Sequence, residues 1–199
     1  MEKETSLLQE KLDLDNILIA EFQYIAQTAF QANEDRARVS NYYLVTTAAA
    51  VAAIIGAKIE NTSTTGVYLG FSLLFAVLSV IGLITLLQLA RLRTAWTESA
   101  KAMNKIKQYY IEHFSELDPE KAFAWTTKSI PPANKRNSVA FLLAVSIILV
   151  SGVTLATSAI YLGLALGAAP LDSLWFFLSI LSGIVFIIVQ YLWYTNWLK

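Results

Sequence analysis

Few residues in this chain could carry chemistry, and their spacing sets most chemistries aside. There is one histidine, His113, close to Tyr109, Tyr110 and Glu116, and there is no cysteine. Without cysteine there can be no disulfide, thiolate metal site, cysteine nucleophile or iron–sulfur ligation. One histidine does not make a histidine metal site, and a Ser/His dyad would have to reach from an apolar segment to His113. The carboxylates Glu112, Glu116, Asp118 and Glu120 read as a solvated helix end. No glycine-rich phosphate loop and no HExxH is present. The expectation is a protein without catalytic residues, metal ligands or a cofactor, and not an enzyme.

A second set of side chains is polar, uncharged and set inside long apolar runs. It includes Thr46, Thr47, Ser72, Ser79, Thr85, Gln88, Ser146, Ser151, Thr154, Thr157, Ser158, Ser179, Ser182 and Gln190. Hydroxyls in such runs bond back to their own helix or join neighbouring helices, so packing is their expected role. Small residues make the same point. Thr47, Ala48, Ala49, Ala52, Ala53 and Gly56 give the first apolar run a small-residue face. That face should lie inside a bundle or an oligomer, because small side chains let helices approach closely. Gly66 and Gly70, and likewise Gly163 and Gly167, form two GxxxG pairs assigned to helix packing. The basic residues Arg36, Arg38, Arg91, Arg93, Lys135 and Arg136 are candidate contacts for lipid headgroups or an anionic ligand.

The elements that must position these residues follow from the apolar runs themselves. Of 199 residues, 56% are hydrophobic and 15% charged, where a soluble domain carries roughly 25% charged. A hydrocarbon core needs about 20 mostly apolar helical residues. Four stretches qualify: about Asn41 to Ala57, Val67 to Ala90, Ser138 to Leu162, and Leu174 to about Tyr194. None contains Asp, Glu, Lys, Arg or His. Fourteen of the fifteen Lys and Arg fall on one side of this pattern, the exception being Lys58. The positive-inside rule then places both termini and segment 91–137 in the cytoplasm, with the protein in the plasma (inner) membrane. Tyr42, Tyr43, Trp96, Trp175, Tyr191, Trp193, Tyr194 and Trp197 fall where interfacial aromatic belts are expected. The acidic, charged N-terminus does not read as a signal peptide.

The fold expected is an all-α membrane protein with four transmembrane helices as two hairpins and cytoplasmic amphipathic helices. Its parts are a cytoplasmic helix (1–40), a first hairpin (41–90), a cytoplasmic helical segment (91–137) and a second hairpin (138–199). Leu7, Leu14, Leu18, Phe22, Ile25 and Ala29 recur at three- and four-residue steps, and so do Trp96, Ala100, Met103, Ile106, Tyr110 and Phe114. No Pro or Gly interrupts residues 1–55, and no Pro lies between Val67 and Leu117. Each amphipathic helix can therefore run on into its neighbouring span. Asp118 with Pro119 should start a short helix over about 119–128, and Pro131 and Pro132 should break the chain.

The run EDRARVSNYYLVTTAAA leads into a transmembrane hairpin and then a long amphipathic helix. In layout, over about residues 10–115, this resembles the Pycsar and SLATT transmembrane effector modules of bacterial antiphage systems. The second hairpin, 138–194, lies outside that two-span pattern. The resemblance implies an oligomer that perturbs the membrane when a sensor partner fires. The residues alone point to a non-enzymatic, self-associating membrane protein that contacts lipid. Its cytoplasmic helices would meet a protein partner, and the zero net charge argues against nucleic acid. A membrane anchor or scaffold is the alternative. A small-solute transporter is disfavoured by the lack of charges within the spans.

Overall fold

The computed structural model describes residues 2–56, 64–113, 130–133, 135–168 and 173–198, with side chains from Asp15 onward apart from residues 64 and 173. The described residues form four helices and no strand: α1 (Glu2–Gly56), α2 (Thr64–His113), α3 (Val139–Ala165) and α4 (Ser173–Trp197). All four are long and apolar enough to cross a membrane. The helix expected over about 119–128, with its Asp118 cap, lies outside the described residues, as do Lys58, Glu116 and Glu120. Pro131 and Pro132 are non-helical, in keeping with proline's missing N–H and fixed φ.

Local sequence accounts for where these helices begin and end. Nothing before Gly56 in α1 removes a backbone donor or frees a backbone dihedral, and the helix continues through both its polar and its apolar halves. Asn137 adopts φ 65° and turns the chain into α3; asparagine is among the residues that tolerate this region. Ser138 then caps α3, its Oγ accepting from the Phe141 N–H at 3.3 Å. At the other end, Gly167 takes φ 90°. The Ala168 N–H donates to the Gly163 carbonyl at 2.9 Å and the Gly167 N–H to Leu164 at 3.2 Å. These two bonds make a Schellman termination, for which a positive-φ glycine is the usual residue.

The chain divides into two compact units. The first comprises Met1–Asp35 and Leu92–Ala133. Here Ala29 and Ala32 of α1 are buried, as are Arg93, Thr97, Ser99, Ala100 and Asn104 of α2. The Tyr110 hydroxyl donates to Asp15 Oδ1 at 3.3 Å, and the Lys107 ammonium lies 6.0 Å from the centre of the Phe22 ring. Between the two helices, Leu18, Ile19, Phe22, Ile106 and Tyr110 line a largely apolar cavity of about 520 Å³.

The second unit comprises Arg36–Arg91 and Asn134–Lys199. In the most apolar stretches of α2 and α3, 44% and 39% of residues are buried, against 17% in each of α1 and α4. The two middle helices thus form the core and the outer two pack on it. Phe141 near the start of α3 meets Tyr191 and Tyr194 near the end of α4, while Trp175 at the start of α4 donates to the Ala159 carbonyl at 2.9 Å. Helices α3 and α4 are therefore antiparallel. Tyr161 of α3 packs against Phe71 and stacks on Phe75 of α2, with ring centres 5.2 and 5.9 Å apart.

Candidate functional site

Buried polar residues form an interrupted seam along the inner surfaces of the second unit, with buried apolar side chains such as Phe75, Leu86, Ile147 and Ile148 between them. Each helix contributes residues: Ser40, Tyr43 and Thr47 from α1; Ser72, Ser79 and, on another side of the helix, Thr85 from α2; Ser151, Thr154 and Ser158 from α3; Ser179 and Gln190 from α4. All are buried.

One end of the seam is closed by a reciprocal pair. Ser72 Oγ donates to the Ser158 carbonyl at 3.0 Å, and Ser158 Oγ donates to the Ser72 carbonyl at 2.8 Å. Further along, Ser151 Oγ is 3.0 Å from Gln190 Oε1 and 3.1 Å from the Ile148 carbonyl, sharing one proton between two acceptors. Thr154 Oγ1 donates back to the Ser151 carbonyl at 2.8 Å.

The middle of the seam is different. Tyr43 Oη, Thr47 Oγ1 and Gln190 Nε2 are buried without a hydrogen-bond partner among the described residues. The Tyr43 hydroxyl nonetheless interacts with the side-chain hydroxyls of Thr154 and Thr47. An unmet buried donor or acceptor costs about 1–3 kcal/mol, and more where hydrocarbon surrounds the bundle. Tyr43 reaches this position because α2 offers no side chain opposite it. A Cβ on Gly82 would stand 2.6 Å from Tyr43 Oη and 2.5 Å from Ser151 Cβ. A second close approach joins α3 and α4, where a Cβ on Gly183 would stand 2.7 Å from the Gly152 carbonyl oxygen.

The small residues expected from sequence to pack are placed unevenly. Thr47 is buried, but Ala48, Ala49, Ala52, Ala53 and Gly56 are exposed on the outer side of α1. Gly66 and Gly70 are exposed too, and a Cβ on Gly70 would meet nothing within 4 Å. Gly163 is buried under the Trp175 indole, whereas Gly167 terminates α3 and is open. Among the described residues, close contacts fall to Gly163 and, beyond the expected set, to Gly82, Gly152 and Gly183.

The basic residues serve different ends. Arg93 is buried in the first unit, its Nε donating to the Ala133 carbonyl at 3.1 Å and its guanidinium 5.0 Å from the Trp96 ring centre. Arg38, Arg91, Lys135 and Arg136 are exposed and Arg36 is half-buried, its carbonyl accepting from Ser40 Oγ at 2.8 Å. His113 Nδ1 lies 2.9 Å from the Tyr109 carbonyl, and its ring stacks on Tyr109 at 4.1 Å. Two aromatics assigned to interfacial belts, Tyr43 and Tyr194, are instead fully buried. The signal that would have found Tyr43 is its three- and four-residue spacing to Ser40 and Thr47, which puts it on the polar face. Compared with known protein families, with curated proteins and with solved structures, the chain matches none.

Proposed function

We propose that this chain is a non-enzymatic, multi-pass integral membrane protein that self-associates and perturbs the membrane under the control of its cytoplasmic helices. Both termini and residues 91–137 lie in the cytoplasm on this reading, supported by the one-sided distribution of Lys and Arg. The observation that carries self-association is the outward face of α1. Ala48, Ala49, Ala52, Ala53 and Gly56 are exposed there, so among the described residues nothing covers the side of the helix best suited to close backbone approach. The occupant proposed for it is α1 of a second copy.

The test is cross-linking of membranes containing the chain, with membrane potential followed by a voltage-sensitive dye, beside an Ala49→Leu variant. Cross-linked oligomers and depolarisation, both lost in Ala49→Leu at equal expression, are expected. A chain that remains monomeric would sink the reading.

A second reading, a membrane anchor for a cytoplasmic protein, draws on the first unit. Ile17, Ile19, Tyr24 and Phe30 are large apolar side chains exposed on α1, beside the cavity lined by Leu18, Phe22 and Ile106. A monomer with undisturbed membrane potential that retains a soluble partner would favour it.

A further inference from the structure

We propose that the cavity between α1 and α2 in the first unit is a binding site for an anionic single-chain amphiphile, a fatty acid in chemical class. The site lies on the two helices assigned a controlling role, but it requires neither self-association nor membrane perturbation.

Three observations carry it. First, the cavity has the size and lining of a small-molecule site. Its volume, about 520 Å³, falls within the roughly 300–1,000 Å³ such sites occupy, and they too are mostly apolar with a few polar groups. Here Leu18, Ile19, Phe22 and Ile106 supply hydrocarbon, and Gln23, Lys107 and Tyr110 the polar atoms. Second, the two helices leave apolar surface uncovered beside it. Among the described residues of the first unit, the exposed large apolar side chains, Ile17, Ile19, Tyr24 and Phe30, all belong to α1, and Ile19 of the cavity wall is 52% exposed. A hydrocarbon tail laid against that wall takes both surfaces out of water. Third, the charge at the wall selects the head. The Lys107 ammonium lies 6.0 Å from the centre of the Phe22 ring. It offers three donors and no acceptor, which suits a carboxylate and rejects a cationic head. Asp15 accepts from the Tyr110 hydroxyl at 3.3 Å, and its charge repels an anion from that end. The head is therefore set at Lys107 and the tail along Leu18, Phe22 and Ile106. The occupant comes from water rather than from the bilayer. Ile106 lies sixteen residues past Ala90, where the apolar run of α2 ends, or about 24 Å of continuous helix at 1.5 Å per residue.

The experiment uses the full chain in phosphatidylcholine nanodiscs and, as probe, dodecanoic acid carrying a diazirine at the end of its tail. After irradiation the labelled peptides are identified by mass spectrometry. Peptides holding Leu18 to Gln23 and Ile106 to Tyr110 should be labelled, and plain dodecanoate should compete the label away. Peptides of the four spans take up probe dissolved in the bilayer and serve as the internal reference. Ile106→Trp fills the cavity and should cut its labelling by on the order of tenfold. Lys107→Gln removes the charge without filling the space. It should cut labelling by the acid by on the order of tenfold, as loss of a hydrogen bond to a charged group does. Labelling by the corresponding diazirine alcohol should be unchanged in Lys107→Gln.

Label confined to the spans overturns the proposal. So does cavity labelling that plain dodecanoate does not compete, which would mean probe collecting on apolar surface rather than filling a site. Acid labelling that survives Lys107→Gln overturns the anionic assignment, whatever Ile106→Trp does. Should Ile106→Trp disturb the helix pair, Lys107→Gln read with the acid and the alcohol still decides, because a disturbed site loses both probes and a missing charge loses one.

Discussion

Tyr43 and Tyr42 are adjacent aromatic residues at the start of the same apolar run, yet Tyr43 is 1% exposed and Tyr42 is 76% exposed. Helical geometry separates neighbours by about 100°, so one points to the bundle and the other away. The Tyr43 hydroxyl makes only weak interactions, with Thr154 and Thr47, so removing it should cost little. Tyr43→Phe is expected to leave unfolding in detergent unchanged or to raise stability by up to about 1–3 kcal/mol. Tyr43→Ala removes the ring as well and should lower stability by about 3–5 kcal/mol. Denaturation followed by circular dichroism separates the two. The Tyr110 hydroxyl, twenty residues beyond the apolar run of α2, makes a different prediction. Burial pushes its pKa above the ordinary 10.0, and the charge and hydrogen bond of Asp15 push it the same way. A raised folded-state pKa stabilises fully below pH 10 and is lost as pH rises through the folded value. Tyrosinate absorbance compared with Tyr110→Phe should show one group titrating late, and Asp15→Asn should bring it earlier. Most polar residues of the seam were legible in the sequence, but Ser40 and Tyr43 were not among them, and Thr46, Gln88 and Ser146 of the same expected set are exposed. Which of them converge was not legible, because convergence depends on the rotation of four helices about their own axes.

At the scale of elements, glycine spacing misleads where glycine has more than one use. Gly163 and Gly167 share a GxxxG spacing, but Gly163 makes room for Trp175 and Gly167 supplies a positive φ. Gly152 and Gly183 stand in no such motif, yet they hold α3 against α4. Gly152→Val should therefore destabilise by about 1–3 kcal/mol or more through overpacking, since its side chain would collide with Ile187 and the Gly183 carbonyl. Gly70→Ala should instead stabilise α2 by about 0.5–1 kcal/mol, as an exposed mid-helix glycine does when replaced. Loss of stability in Gly70→Ala would return that glycine to the packing role its spacing suggests. Helix continuity was legible: the run without Pro or Gly to residue 55 gives one helix, and the proline-free run from Val67 gives another, described to His113.

For the whole molecule, four runs free of charge gave four helices of spanning length, because sustained lack of charge is a property of composition and needs no tertiary information. The orientation proposed for them is testable on this cysteine-free background. A membrane-impermeant thiol reagent applied to intact cells should label Ala168→Cys and spare Lys101→Cys until the membrane is permeabilised; the opposite pattern would invert the topology. The reciprocal bond between Ser72 and Ser158 joins residues 86 positions apart. A ribosome adding about 5–20 residues per second delivers Ser158 roughly 4–17 s after Ser72. In a chain inserted as it is made, the polar face of the first two spans therefore waits many seconds among lipid tails for its counterpart. Biogenesis, rather than the finished fold, is then the stage at which this protein most depends on the insertion machinery to shelter it.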